Sequence, residues 1–290
     1  MKRAVVALLL FSAPLLAQGN DPEALKAQGI AAMSAGNDDK AVELFEKAIA
    51  LRPNSAELHY HLGQAYGNQT QQASLFSKAS LAGKTRDEFE KAVALDPNYL
   101  DARFALIDYY TIAPAIMGGS EEKALQQAGE IKKRDALQGH RAFARVYTRE
   151  KKLDLARKEW MDAVHEQPQS AAAHSLFASY LANTDKQFPK AFDEVEISLK
   201  LDPSYMPAYY RLGAIAALSG AQLPRGEEAL KKYLTHKPAD NEPSLANAHY
   251  MLGQVYEKQG RKADAKASYT NALKLAPRSK EISEALKRVS

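Results

Sequence analysis

Apolar residues recur along this chain every three to four positions, and alternation of period two is rare. Leu75, Ala79, Ala82, Phe89 and Val93 hold a helical spacing through one long run. Ile282, Ala285, Leu286 and Val289 do the same at the C-terminus, opposite a charged face. Such spacing places apolar side chains on one stripe of an α-helix. No Asn-Gly or Asp-Gly turn joins alternating apolar runs, so hairpins are not expected. The pattern predicts an all-α chain.

The stripes also repeat at long range. "HYHLGQAY" runs from His59 to Tyr66 and "HYMLGQVY" from His249 to Tyr256, with six of eight letters identical. After the second copy come Ala265, Tyr269, Ala272 and Pro277; the stretch before the first holds Gly29, Ala41, Phe45, Ala48 and Pro53 in the same register. A mid-helix Gly costs about 0.5–1 kcal/mol relative to Ala, and Gly63, Gly213 and Gly253 are expected there because a partner helix approaches closely. Ala41, Ala156, Ala191, Ala229 and Ala265 offer the small opposing surface. Tyr66, Tyr147, Tyr256, Phe45, Phe89, Trp160 and Tyr269 are expected to fill the space between helix pairs. Pro53, Pro97, Pro168, Pro203 and Pro277 close the second helices without spoiling their interiors.

This register resembles the tetratricopeptide repeat, W-x2-L-G-x2-Y followed by A-x3-F and a closing P over about 34 residues, with His at the Trp position. The resemblance covers residues 22 to 279 and implies a right-handed α-solenoid of about seven antiparallel helix pairs. Units start near Pro22, Ala56, Leu100, Leu137, Ala171, Met206 and Ala246, the third and sixth being degenerate. Residues 279–290, with Ser279 as N-cap, are expected to form the helix that ends the array, within a single domain over 18–290.

Three units depart from the period inside a helix pair. The second has about ten extra residues between Tyr66 and Phe89, expected as a backward extension of its second helix with Gly83 a weak spot. The third carries "TIAPAIMGGSEE", where Pro114 breaks a helix, Gly118 and Gly119 give turn freedom and Ser120 caps the next helix. The sixth carries "SGAQLPRGEE". Leu75, Phe76, Ile116 and Met117 are candidates to pack together, either as a lid or as local stapling of degenerate repeats.

Composition narrows the class. With 46% hydrophobic and 26% charged residues, the chain is that of a folded soluble protein. "MKRAVVALLLFSAPLLA" has a basic start, an apolar run from Ala4 to Leu16 and a small residue at Ala17, the layout of a cleaved export signal over 1–17. The run is shorter than the ~20 residues a membrane span needs. Cleavage would take the formal charge from +4 to about +2 and leave no Lys/Arg-rich run, which argues against nucleic acid. Cysteine is absent, so disulfides, thiolate catalysis, thiolate metal sites and a lipidated N-terminal Cys are excluded. The expectation is a periplasmic or secreted bacterial protein that is not a lipoprotein.

No metal, cofactor or catalytic motif emerges. His59, His140, His174 and His249 recur once per unit, the mark of packing residues with satisfied ring nitrogens. The sequence lacks His-Glu-x-x-His, an Asp-rich calcium loop, Gly-x-Ser-x-Gly and a phosphate-cradling Gly loop. The resemblance implies instead a concave groove lined by the first helices. Its register maps Tyr60, Gln64, Asn68, Phe104, Asp108, Arg141, Arg145, Arg149, Ser175, Ser179, Asn183, Tyr210, Tyr250 and Gln254 onto that groove, and aromatic and Arg side chains are the usual anchors of protein interfaces. The family's clamp for chaperone C-termini is absent: Lys26 matches, but Ile30, His61, Asp101 and Ala105 stand at its other positions. The first expectation is a non-enzymatic scaffold that binds a protein or peptide, with a role in envelope complex assembly. Self-association is an alternative, and so, with no nucleophile–base pair behind it, is a hydrolase or transferase site at the insertion rim.

Overall fold

A computed structural model describes residues 21–239 and 241–290, with the side chains of Gln72, Leu75 and Phe76 excepted. The export signal expected over 1–17 lies outside the described residues. Fifteen α-helices and no strand occur among those described. The fold is all-α, and within each unit consecutive helices pack in pairs. By its contacts the described chain divides into two compact units, unit 1 ending at Gln127 and unit 2 running from Ala128 to Ser290.

Unit 1 contains α1 (Pro22–Ala35) with α2 (Asp38–Leu51), α3 (Ala56–Gln72) with α4 (Leu75–Leu95), and α5 (Leu100–Ile112). The unit boundary falls within α6 (Glu121–Lys132). Unit 2 pairs α7 (Ala136–Arg149) with α8 (Leu153–Glu166), α9 (Ala171–Tyr180) with α10 (Phe188–Leu201), α11 (Met206–Ser219) with α12 (Leu223–Tyr233), and α13 (Leu245–Lys258) with α14 (Lys262–Leu275); α15 (Lys280–Arg288) packs on α14.

Helix starts are set by side-chain oxygens that accept from otherwise orphaned backbone N–H groups. Ser55, Ser170, Ser244 and Ser279 each do so, bonding Leu58, Ala173, Asn247 and Ile282. Asp135 does the same for Gln138.

Glycine lets the second helix of a pair lie against the first. A Cβ on Gly63 would sit 2.6 Å from the Phe89 ring, and one on Gly253 would sit 2.4 Å from Tyr269. This extends one expectation. Phe45, Phe89 and Tyr269 also fill notches within their own pairs, Phe45 over Gly29, while Phe45 reaches the next pair as well, stacking on His61 with ring centroids 5.6 Å apart. Tyr66 and Tyr110 do bridge pairs: their hydroxyls donate to Glu46 and Glu90 of the preceding second helices at 2.7 Å.

The insertions are ordered locally. α4 runs 21 residues, straight through Gly83. In the third unit a 3-10 turn over Ala115–Met117 follows Pro114, and Gly118 takes φ 93°. A Cβ on Gly119 would collide with the Ala113 carbonyl at 1.8 Å. Ser120 Oγ accepts from Lys123 N, and Tyr109 donates its hydroxyl to the Met117 carbonyl. The expected apolar cluster fails at Ile116, which is 93% exposed. The Leu75 and Phe76 side chains lie outside the description.

Candidate functional site

The histidines are structural ties, as repetition suggested. His59 Nδ1 meets Glu88 of its own second helix at 2.6 Å, and Nε2 meets the Pro53 carbonyl of the preceding pair at 3.0 Å. His174 does the same with Glu194 (2.6 Å) and the Pro168 carbonyl (3.1 Å). His140 lies between Glu159 and Glu166. Arg103 takes this place in the third unit, bonding the Pro97 carbonyl and Gln127, and Tyr209 in the sixth, bonding the Pro203 carbonyl at 2.9 Å. In each of those four Pro cases the donor follows the closing Pro by six residues, a spacing legible in the sequence that residue type alone does not show. His249 keeps the spacing after Pro243, yet its buried Nδ1 has no partner. Ser268 stands immediately before Tyr269, where Glu88 and Glu159 stand before Phe89 and Trp160. Burial pushes the His249 imidazole below its ordinary pKa.

The expected groove residues divide between units. In unit 1, Tyr60 is half-buried, with its ring against Tyr99 (centroids 5.2 Å) and Phe89 (5.9 Å). Gln64 donates to the Tyr60 hydroxyl at 2.8 Å and meets His61 at 3.0 Å. Burial, reinforced by Asp101 and Asp108, pushes the Tyr60 phenol up to about 12. Asn68 donates to Asp38 at 3.2 Å, and Phe104 is half-buried. Lys26, the surviving clamp residue, is held by Glu23 (2.7 Å) and Glu57 (2.8 Å). Aromatic rings beside acids characterise this face.

In unit 2 two expected residues do not present themselves to a ligand. Ser175 is fully buried among His174, Phe177 and Ala178, because α9 is apolar on most of its circumference. Tyr250 is 7% exposed, covered from α15, whose Glu281 accepts its hydroxyl at 2.9 Å. Arg141 is half-buried and bonds Gln138 at 3.1 Å; Arg145 is half-buried and Arg149 exposed. Asn183 donates to the Ser179 carbonyl and hydroxyl. Gln254 lines a shallow hollow with Ala217, Leu218 and Arg288.

A further grouping in unit 2 lies on α11 and includes residues the register did not select. Tyr210 packs on the fully buried Tyr233 ring (centroids 5.5 Å). Arg211 follows it, with Nη1 donating to the Pro207 carbonyl at 3.1 Å. Tyr205, at the start of α11, lies within electrostatic range of both Arg211 and Arg141. Burial drives the Arg211 guanidinium below its ordinary pKa; Tyr205, Tyr210, Tyr233 and Glu242 act against that fall. Burial also raises Tyr205 and Tyr210, and Arg211 opposes both shifts. No carboxylate oxygen of a described residue comes within 4.0 Å of Arg211. Glu242 is held by His236 Nε2 at 2.6 Å and by Ala239 N at 3.1 Å.

Tyr99 and Tyr205 share a signal. "DPNY" (96–99) and "DPSY" (202–205) put Tyr where other units put a capping Ser or Asp. In both, the Asp side chain turns the loop by accepting the N–H two residues on, at 2.9 and 2.8 Å, and Tyr makes no capping bond. Both Tyr side chains sit half-buried beside the cluster of their own unit.

Comparison with known proteins agrees with this architecture. Family models match at both ends, "TPR repeat" over residues 29–69 and "Tetratricopeptide repeat" over 246–279. The chain carries tetratricopeptide repeats at both ends. The curated anaphase-promoting complex subunit 7 of Arabidopsis thaliana is 25% identical over 278 residues, which is 88% of this chain and 48% of that protein. This repeat chain thus spans about half the length of the curated relative it matches. Among solved structures, yeast Tom70 aligns with TM-score 0.68 at 17% identity, covering 92% of this chain and 53% of that one. A tetratricopeptide repeat protein from Parabacteroides merdae aligns with TM-score 0.53 at 16% identity, over 92% and 98% respectively. At these identities the likeness is one of fold.

Proposed function

We propose that this repeat protein is an exported, non-enzymatic scaffold that seats a segment of a partner protein on the α11 face of unit 2, in the service of envelope complex assembly. Tetratricopeptide repeat proteins mediate protein–protein interaction, and the curated relative is by name a subunit of a complex. The observation that carries the reading is the cluster of Tyr205, Tyr210 and Arg211, an aromatic and Arg grouping of the kind that anchors interfaces. Export is supported by the basic-apolar-small order of residues 1–17. Among the described residues no helix is long and apolar enough to cross a membrane.

The test is affinity capture from an envelope extract, using the chain from Gln18 onward as bait. The parent is expected to retain a defined set of proteins that a Tyr205→Ala, Tyr210→Ala double variant of equal helicity loses. Equal retention by both removes the α11 face from the account. Mass measurement of protein recovered from the periplasm is expected to show an N-terminus at Gln18; uncut chain in the cytosol overturns export.

A further inference from the structure

Arg211 is a half-buried charge that makes no ion pair with a described carboxylate. A guanidinium taken out of water gains nothing unless a carboxylate or a full set of acceptors replaces the solvent. Here the side chain is half-buried, one bond runs to a carbonyl of its own helix, the phenols of Tyr205, Tyr210 and Tyr233 lie within electrostatic range, and no ion pair joins it to a described carboxylate. The tie to the preceding Pro carbonyl that His59, His174 and Arg103 make in their units is made here by Tyr209, two residues before Arg211. Arg211 therefore does not serve the ties between pairs.

An independent observation points the same way. The residue before α11 is the place where Ser55, Ser170 and Ser244 cap their helices. Tyr205 takes that place and makes no cap bond. Giving up such a cap costs about 0.5–2 kcal/mol, and in exchange a phenol stands beside Arg211, within range of Arg141. The same helix supplies Tyr210, whose ring rests on Tyr233. The acids that face the cluster, Glu242 and Glu281, are each bonded elsewhere, to His236 with Ala239 N and to Tyr250.

We propose that Arg211, flanked by Tyr205 and Tyr210, receives a carboxylate carried by an acidic segment of a protein partner. This deepens the scaffold reading and rests on it. A planar guanidinium bonds a carboxylate with two parallel N–H donors; Tyr205 and Tyr210 supply hydroxyl donors and ring faces for the apolar part of the same segment. The site differs from the family's chaperone clamp, whose remaining residue, Lys26, is occupied by Glu23 and Glu57.

Fluorescence anisotropy tests it with a labelled acetyl-Gly-Phe-Glu-Phe-Glu-Gly peptide, its Gln counterpart, and each as C-terminal acid or amide. A hydrogen-bonded charge pair is worth about tenfold or more in affinity, so the parent is expected to favour the Glu peptide over the Gln peptide by about tenfold. Preference for acid over amide in the Gln series assigns a terminal carboxylate; preference for Glu in the amide series assigns a side chain. Arg211→Met is expected to abolish the preference while melting at the same or a higher temperature, because it removes a half-buried charge that makes no ion pair. Arg211→Lys is expected to keep part of it. Equal binding of the Glu and Gln amides by the parent, with no gain for either free acid, overturns the carboxylate and leaves the scaffold standing. An Arg211→Met variant that melts lower and still prefers Glu makes Arg211 a structural residue and overturns the proposal. Absence of binding to every peptide also overturns it, while the capture experiment continues to test the scaffold by itself. Displacement by inorganic phosphate but not by acetate overturns the choice of carboxylate.

Discussion

Unit 1 and unit 2 use the same device to opposite electrostatic ends. Each has an Asp-Pro-x-Tyr turn that gives up a helix cap to place a half-buried Tyr, Tyr99 in one and Tyr205 in the other. In unit 1 that Tyr meets Tyr60 at 5.2 Å, and the charges around the pair are Asp101, Asp108 and Glu57. In unit 2 it meets Arg211 and Arg141. The repeat supplies the position; the helix that each Tyr begins supplies the leading charge, Asp101 in one and Arg211 in the other. A scaffold built this way can present two chemically different surfaces without changing its fold.

The comparison breaks most severely if the floors beneath the two aromatic clusters are removed. Phe89 lies under Tyr60 and Tyr233 under Tyr210. Phe89→Ala and Tyr233→Ala are each expected to cost about 3–5 kcal/mol, read from urea melts. Near-equal losses mean that the two clusters are built alike; a negligible loss in either shows that its floor is not a packed core.

A second contrast sets His59 against His249. His59→Leu strands Glu88 and the Pro53 carbonyl and is expected to cost about 1–3 kcal/mol. His249→Leu removes a ring nitrogen that already lacks a partner and is expected to be close to neutral. The His249 pKa lies below its unfolded value, so the unfolded chain takes up the proton first. Its contribution is therefore constant at neutral pH, and stability falls as pH drops below about 6.5. A pH series of melts on parent and His249→Leu is expected to show that acid-side slope shrinking in the variant; an unchanged slope assigns it to other groups.

The smallest effects lie in the phenols. With its folded pKa pushed up to about 12, Tyr60 binds its proton longer than the unfolded chain does. Its contribution to stability is complete below about pH 10 and is lost as pH rises toward 12. Asp101→Asn is expected to lower the Tyr60 pKa, whereas Arg211→Met is expected to raise that of Tyr205, the signs being opposite because the neighbours are. Site-specific tyrosine labelling read by NMR checks both; shifts of the same sign would mean that burial alone controls the two residues.

Much of this architecture is set by spacing along the chain. Helical period, closing Pro residues and paired Gly and bulky positions require stacked helix pairs, since each is a local or next-neighbour condition that any such sequence must meet. Lid formation by Ile116 could not be judged that way: the Met117 carbonyl is claimed by Tyr109, and Ile116 is left facing solvent. Nor could the groove residues be sorted into Ser179 and the buried Ser175, or the covering of Tyr250 by Glu281 of the last helix be anticipated, because helix rotation and the approach of later segments decide exposure. Arg211 was hidden for the same reason. Its neighbours in sequence are unremarkable, and only the packing of α11, which half-buries it within electrostatic range of Tyr205, Tyr210 and Tyr233 and without an ion pair, sets it apart from an ordinary surface cation. Periodicity is written in sequence separations, but solvation is a property of what surrounds a group in three dimensions.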